Sequence, residues 1–291
     1  MRGISKPLNP NEPDVSDVII SHWHRDHLGG LPTVLALLRR LWDERNSPLP
    51  FKPPRLHKYP LPSDGQITAH GTHNMIPSIF ESLSPDLYTR SPEGTPFHDL
   101  YDSQILSGSL RVLYTPGHTA DSICLYIPDD CALYTADTVL GQGTAVFEDL
   151  AAYITSLRKM LEFGQLKVEA GKAGVSENQY TLLYPGHGPV VSEGPELIST
   201  YIKHRLERED QIVTALKSPP PADVDNALLS TSASPLWTTW TLVTSIYASY
   251  PESLWLAAAH GVDLHLKKLE GEGRVKEVRG EGKDAAWAFV G

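Results

Sequence analysis

The sequence predicts a mixed α/β fold carrying a helical C-terminal unit, and three observations point there. Short apolar runs of strand length recur, and three of them end in His, Asp and His: before His118, before Asp137 and before His187. Between them stand segments with helical apolar spacing, at Thr33–Arg45, Thr144–Phe163 and Pro195–Lys217. Beyond residue 235 the pattern turns mostly helical and ends in a short basic-apolar run. Strand runs alternating with amphipathic helices mark a layered α/β domain.

The first strand run, Val18-Ile19-Ile20, leads into Ser21-His22-Trp23-His24-Arg25-Asp26-His27-Leu28-Gly29-Gly30. Period-2 spacing at a strand's end points the His22 and His24 imidazoles to one side. Trp23 and Arg25 then point away, to pack or to bridge. Asp26 and His27 follow after the chain has turned, and Gly29–Pro32 reads as the turn into the helix Thr33–Arg45. Four donors of this kind within six residues have the spacing of a metal site, imidazole nitrogen and carboxylate oxygen being typical zinc donors.

Leu56–Tyr59 reads as a strand, while His57, His70, His73 and His98 lack partners at ligand spacing and read as structural or solvent-facing. Leu110–Tyr114 is a strand ending in Thr115-Pro116-Gly117-His118-Thr119, where a Pro-Gly turn presents the histidine. Ile123–Ile127 and Cys131–Tyr134 form a hairpin across Pro128-Asp129-Asp130, and the second strand runs into Asp137. The helix Thr144–Phe163 puts Phe147, Leu150, Ala151, Ile154, Leu157 and Leu161 on one face, with Glu148 and Asp149 in its first turn. After a polar insertion, Lys167–Gln179, the strand Tyr180–Tyr184 ends in Pro185-Gly186-His187-Gly188-Pro189. A long helix starts at Pro195, a residue suited to a first turn. Ser218–Pro235 reads as a linker, followed by helices near Thr239–Ala248, Glu252–Ala259 and Val262–Glu270. The organisation is a first domain over 1–195 and a winged-helix-like one over 196–291.

With 291 residues, 41% of them apolar, the chain can bury a sizeable core. No run approaches the ~18 apolar residues of a membrane span and the start has no apolar signal core, so no membrane association and a cytoplasmic location are expected. Cys124 and Cys131 are the only cysteines; both are expected free and buried. The formal net charge of −10 weighs against a grip on long nucleic acid. Within 261–291 six Lys/Arg are matched by six Asp/Glu, so no positive field appears there either.

The ordered set SHWHRDHLGG, YTPGHT, YTADTVLGQGTAVFEDL and LYPGHGPV resembles the metallo-β-lactamase superfamily. Within it, the likeness is to the group of beta-lactamase-like protein 2 and the glyoxalase-II-like hydrolases, near the fungal lactamase-like polyketide thioesterases. The resemblance implies an αββα sandwich with the site at one edge of two sheets. It implies that His22, His24 and His118 hold one Zn2+, that Asp26, His27 and His187 hold another, and that Asp137 bridges them, with Mn2+ or Fe2+ as alternatives. Members of the family carry several strands before this motif, including an Asp-Thr-Gly turn. Against that pattern the sandwich here reads as N-terminally shortened, and its open sheet edge favours aggregation or a homodimer.

Two zinc ions sharing a water lower its pKa, which implies hydrolysis of an ester or thioester, with an acyl substrate on a carrier protein as the leading expectation. Asp26 is expected to orient that water. Asp121 is expected either to brace a ligating histidine or to make a plain turn. A single-strand endoribonuclease is the alternative reading, and an inactive remnant the third.

Overall fold

The computed structural model describes residues 11–61, 75–164, 179–221 and 236–291, and the chain divides into two compact units. The first comprises 1–146 and 162–194, the second 147–161 and 195–291. His70, His73 and most of the Lys167–Gln179 and Ser218–Pro235 segments lie outside the described residues.

In the first unit β1 (Asp17–Ile20), β2 (Arg55–Lys58) and β3 (Phe97–Asp99) form a parallel sheet in that order. The parallel pairing requires crossovers; α2 (Leu31–Asn46) makes the first, and α3 (Met75–Ser82) lies in the second. This helix starts two residues before the expected Thr33, with Gly30 as its N-cap and Pro32 in the first turn, where a missing N–H costs nothing. Its Leu31 and Leu35 pack with Leu28, Ile20, Leu56 and Phe97 in one cluster on the helix-covered side of the sheet. The second sheet runs β4 (Arg111–Tyr114), β5 (Ile123–Ile127), β6 (Ala132–Ala136), β7 (Leu182–Pro185). β4–β5 and β5–β6 are antiparallel and β6–β7 parallel. β4, β6 and β7 therefore point the same way, and their C-terminal ends share one edge. Ile19 of β1 joins Val112, Ile123 and Leu125 in the apolar cluster that links the two sheets.

Two expectations change, one in this unit and one on a helix whose residues up to 161 belong to the second. Cys124 is buried, but Cys131 is exposed: it lies just ahead of β6 in a left-handed turn, φ 47°, and not in a strand. The helix expected over Thr144–Phe163 begins only at Leu150, as α4 (Leu150–Gly164). Asp149 caps it, its Oδ1 accepting from Ala152 N at 2.9 Å, and a cap of this kind sets the start that apolar spacing alone left too early.

The second unit packs α5 (Gly194–Leu216), α6 (Thr239–Ile246) and α7 (Trp255–Gly271) with a small antiparallel sheet, β8 (Trp237–Thr238), β10 (Ala286–Phe289), β9 (Val275–Arg279). Its core gathers Ile212, Trp237, Leu242, Val262, Leu266, Leu269 and Trp287. α7 fuses most of the two helices expected on either side of Gly261. One glycine inside a helix costs about 1 kcal/mol, less than burying Ala259, Val262, Leu266 and Leu269 along a continuous face returns.

Candidate metal centre

The shared edge of the second sheet sets three of the predicted donors. β4 runs into Thr115–Gly117, and Gly117 takes φ 131°, a conformation that glycine adopts freely, to turn the chain into His118. β6 ends at Ala136, whose φ of 46° is strained for a side chain with a Cβ, and Asp137 follows. β7 ends at Pro185, and Gly186 N donates to Ala136 O at 2.7 Å, which fixes His187 beside Asp137. β1 delivers the rest. Ile123 N donates to Ser21 O at 3.0 Å, so the end of β1 is stitched to the same edge just before His22 and His24. Asp26 and His27 sit on a single helical turn, α1 (Arg25–Leu28), which swings them away from the other two.

All seven predicted residues come together, in two groups that share Asp137: His22, His24, His118 with Asp137, and Asp26, His27, His187 with Asp137. In the first group His22 Nε2, His24 Nδ1 and His118 Nε2 lie 3.0 to 3.2 Å from one another. Nitrogens about 2.0–2.1 Å from a tetrahedral cation stand roughly 3.3 Å apart, so the triangle fits one divalent ion. In the second, His27 Nε2 lies 3.4 Å from His187 Nε2, and Asp26 Oδ2 lies 3.2 Å from His187 Nε2. Asp137 divides its oxygens: Oδ1 is 3.3 Å from His27 Nε2, and Oδ2 is 3.7 Å from His118 Nε2 and 3.4 Å from His187 Nε2. Asp137 Oδ1 is buried and accepts no hydrogen bond, the condition of an oxygen that awaits a cation.

Protonation agrees with that reading. Burial pushes His22 and His24 below the ordinary imidazole value, helped by His118 beside both, and burial does the same to His118. Three neutral imidazoles then offer lone pairs, as metal binding requires. His27 moves the other way: burial opposes it, but the carboxylates of Asp137 and Asp26 raise its pKa. Asp137, against its own burial, is held low by His27, His118 and His187. The far nitrogens are anchored. His118 Nδ1 lies 2.7 Å from Val146 O, to which it donates, and His22 Nδ1 is 3.1 Å from Ser21 Oγ. Anchors of this kind fix ring orientation and tautomer.

Three supporting groups were not read from the sequence. Val146 falls where a helix was expected, and a helical carbonyl would have been committed to its own backbone; only the irregular stretch before Asp149 frees it. Asp121 braces no imidazole. It is fully buried, accepts from Trp23 N at 3.4 Å and Thr119 Oγ1 at 2.8 Å, and pairs at 2.5 Å with the buried Lys58 Nζ. It therefore braces the chain between His22 and His24, and Lys58 is the second missed residue. The third is Gly186, where a Cβ would stand 2.5 Å from Asp137 Oδ1. Trp23 packs as expected, 3% exposed. His57 is buried with Nε2 2.7 Å from Asp17 Oδ1, and His98 Nε2 is 3.2 Å from Thr89 O; neither belongs to the two groups.

Residues 6–172 match the family model of the metallo-beta-lactamase superfamily, and residues 238–287 that of the beta-lactamase associated winged helix domain. Among curated proteins, the beta-lactamase-like protein 2 homolog of Drosophila melanogaster is 29% identical over 272 residues, covering 92% of this chain and 73% of that protein. The homolog of the same name in Caenorhabditis elegans is 28% identical, with 89% and 66% covered. The lactamase-like protein aptB of Emericella nidulans is 29% identical over 75% of this chain, which spans only 52% of that protein's length. Among solved structures, a beta-lactamase domain protein from Burkholderia ambifaria aligns with a TM-score of 0.57 at 16% identity, over 95% of this chain and 74% of the other. A metallo-beta-lactamase family protein from Thermus thermophilus aligns with 0.53 at 16%, over 96% and 81%. At these identities the structural likeness speaks for the fold alone.

Proposed function

The chain belongs to the metallo-beta-lactamase superfamily, and on that premise we propose that it is a di-zinc hydrolase cleaving an ester or thioester, with an acyl group on a carrier protein as substrate. The observation that carries the reading is the convergence of seven donors into two groups joined by one carboxylate. His22, His24, His118 and Asp137 would hold one cation, and Asp26, His27, His187 and Asp137 the other. When bound, such a pair supplies activated water at neutral pH and polarises a carbonyl.

The chain's own residues divide the remaining work. The first group is the more enclosed, with His22 fully buried, His118 7% exposed and His24 half-buried; the anchored rings of His22 and His118 hold position. The second faces solvent, with side-chain exposures of 51% for His187 and 59% for Asp26. A carbonyl substrate reaches the centre from that side. Asp26, itself one of the second group's donors, would also orient the attacking water. The thioester rests on the resemblance of the four motifs to the fungal lactamase-like thioesterases; the acidic balance disfavours a long phosphodiester chain.

The test is release of thiol from an acyl-thioester by zinc-supplemented protein, with metal content measured in parallel. Wild type is expected to carry about two zinc ions, one per donor group, and to turn over, and His24→Ala to lose both the first ion and turnover. Undiminished thiol release by His24→Ala would overturn the reading. Chelator-sensitive cleavage of single-stranded RNA without thioester turnover would replace the substrate while keeping the metal centre.

A further inference from the structure

His187 is half exposed, so its ring is not held by burial as those of His22 and His118 are. The main chain on either side of it is held instead. Gly186 N–H, ahead of it, donates to Ala136 O at 2.7 Å, and the His187 carbonyl accepts from Gly141 N–H at 2.9 Å. Ala136 and Gly141 stand on the two sides of Asp137, one at the end of β6 and one in the loop that follows. One strand end therefore grips the chain before and after His187, whose Nε2 arrives 3.4 Å from Asp137 Oδ2.

The second of these hydrogen bonds requires two main chains to approach with no side chain between them. A Cβ on Gly141 would run into Pro189 O and stand 2.8 Å from Pro189 N. One on Gly188 would stand 2.6 Å from Gln142 N and 2.8 Å from the Gly141 carbonyl carbon. Gly188 also takes φ 87°, which glycine adopts freely. Neither side can back away. Pro189 has its φ fixed by its ring, and the fully buried Val139, two residues before Gly141, is tied to β6 through its carbonyl, which accepts from Thr135 Oγ1 at 2.7 Å.

We propose that Gly141 is a positioning residue for the second donor group alone: its N–H and its lack of a side chain set His187 against Asp137. The inference rests on the metal-centre reading above. The first group does not depend on this contact, because His22, His24 and His118 follow the ends of β1 and β4 and two of them are anchored at Ser21 and Val146. Gly141 thus governs the solvent-facing group, the one that a substrate would meet.

Stepwise Zn2+ constants, read by competition with a chromophoric chelator, and amide hydrogen exchange of the metal-free full chain test this together. In Gly141→Ala the constant of the second group is expected to weaken about 10–100-fold, and the other to stay within about twofold, as for independent sites. A merely structural glycine would lower stability and weaken both alike. Gln142→Ala, which trims an exposed side chain beside the contact, is expected to keep both constants. Should Gly141→Ala fail to fold, Gly188→Ala opens the same contact from the other side and carries the same expectation. Exchange on wild type needs no variant: Gly141 N–H is expected to be protected ~10-fold or more over an open amide. Unprotected exchange at Gly141, or equal weakening of both constants, overturns the inference. A protected Gly141 in a wild type that binds zinc at only one group overturns the metal-centre reading, and this inference with it.

Discussion

Gly186→Ala tests whether the donors are held in position by close backbone packing. The added Cβ would lie 2.5 Å from Asp137 Oδ1, 3.0 Å from His27 Cε1 and 3.2 Å from the Ala136 carbonyl carbon. Gly186 cannot retreat, because its N–H is spent on Ala136 O at 2.7 Å. The carboxylate must yield, by about 0.9 Å if ordinary contact at 3.4 Å is to be restored. Asp137 is the one residue common to both groups, so a single shift disturbs both sets of donors. A misplacement of about 1 Å in a reacting constellation costs on the order of 10²-fold in rate, and displaced support typically costs 10–100-fold in metal affinity. Overpacking without metal costs about 1–3 kcal/mol of stability. Competition against a chromophoric chelator measures the affinity, thiol release the rate and thermal unfolding the stability. Gly30→Ala, beside the same motif but with nothing within 4 Å of its Cβ, is the control. Wild-type metal affinity in Gly186→Ala, with only a lowered melting temperature, would refute the argument.

Two further outcomes follow from buried charge. Lys58→Met strands the Asp121 carboxylate, fully buried, without its cation; breaking such a pair costs about 3–5 kcal/mol, read by urea unfolding, and the double variant Lys58→Met/Asp121→Asn is expected to recover part of it. In the second unit, burial holds His265 below its ordinary value although Glu209 Oε2 lies 3.7 Å from its Nδ1, with Arg205 and Lys268 adding to the depression. The unfolded chain then takes up the proton first, so stability is full above about pH 6.5 and is lost as the pH falls below it. Urea midpoints between pH 7 and 5 are expected to fall less steeply in His265→Leu than in wild type.

Which parts of the centre could be read beforehand follows from where each determinant is stored. Each donor sits where an apolar run meets a turn, so strand-end spacing located His22, His118, Asp137 and His187 without knowledge of the pairing. Val146 was hidden because Phe147, Leu150, Ala151 and Ile154 do carry helical spacing, and periodicity does not mark where a cap interrupts it. Asp149, a residue that favours N-cap positions, was the available signal. The Lys58–Asp121 pair had none, since it joins a strand of one sheet to a turn of the other and exists only once the sheets have met.

The same contrast separates the two halves of the His-x-His-x-Asp-His motif. His22 and His24 leave a strand end that is stitched to β5 and braced by Asp121, so two of the three imidazoles of the first group are fixed by groups with no freedom of their own. Asp26 and His27 leave a one-turn helix that lacks a side-chain cap at His24, and they meet His187 on an exposed loop. Rigid support belongs where a cation must stay, and solvent access belongs where a substrate must enter and leave. Four donors close in sequence therefore do two jobs because the backbone between His24 and Asp26 changes from extended to helical at that point.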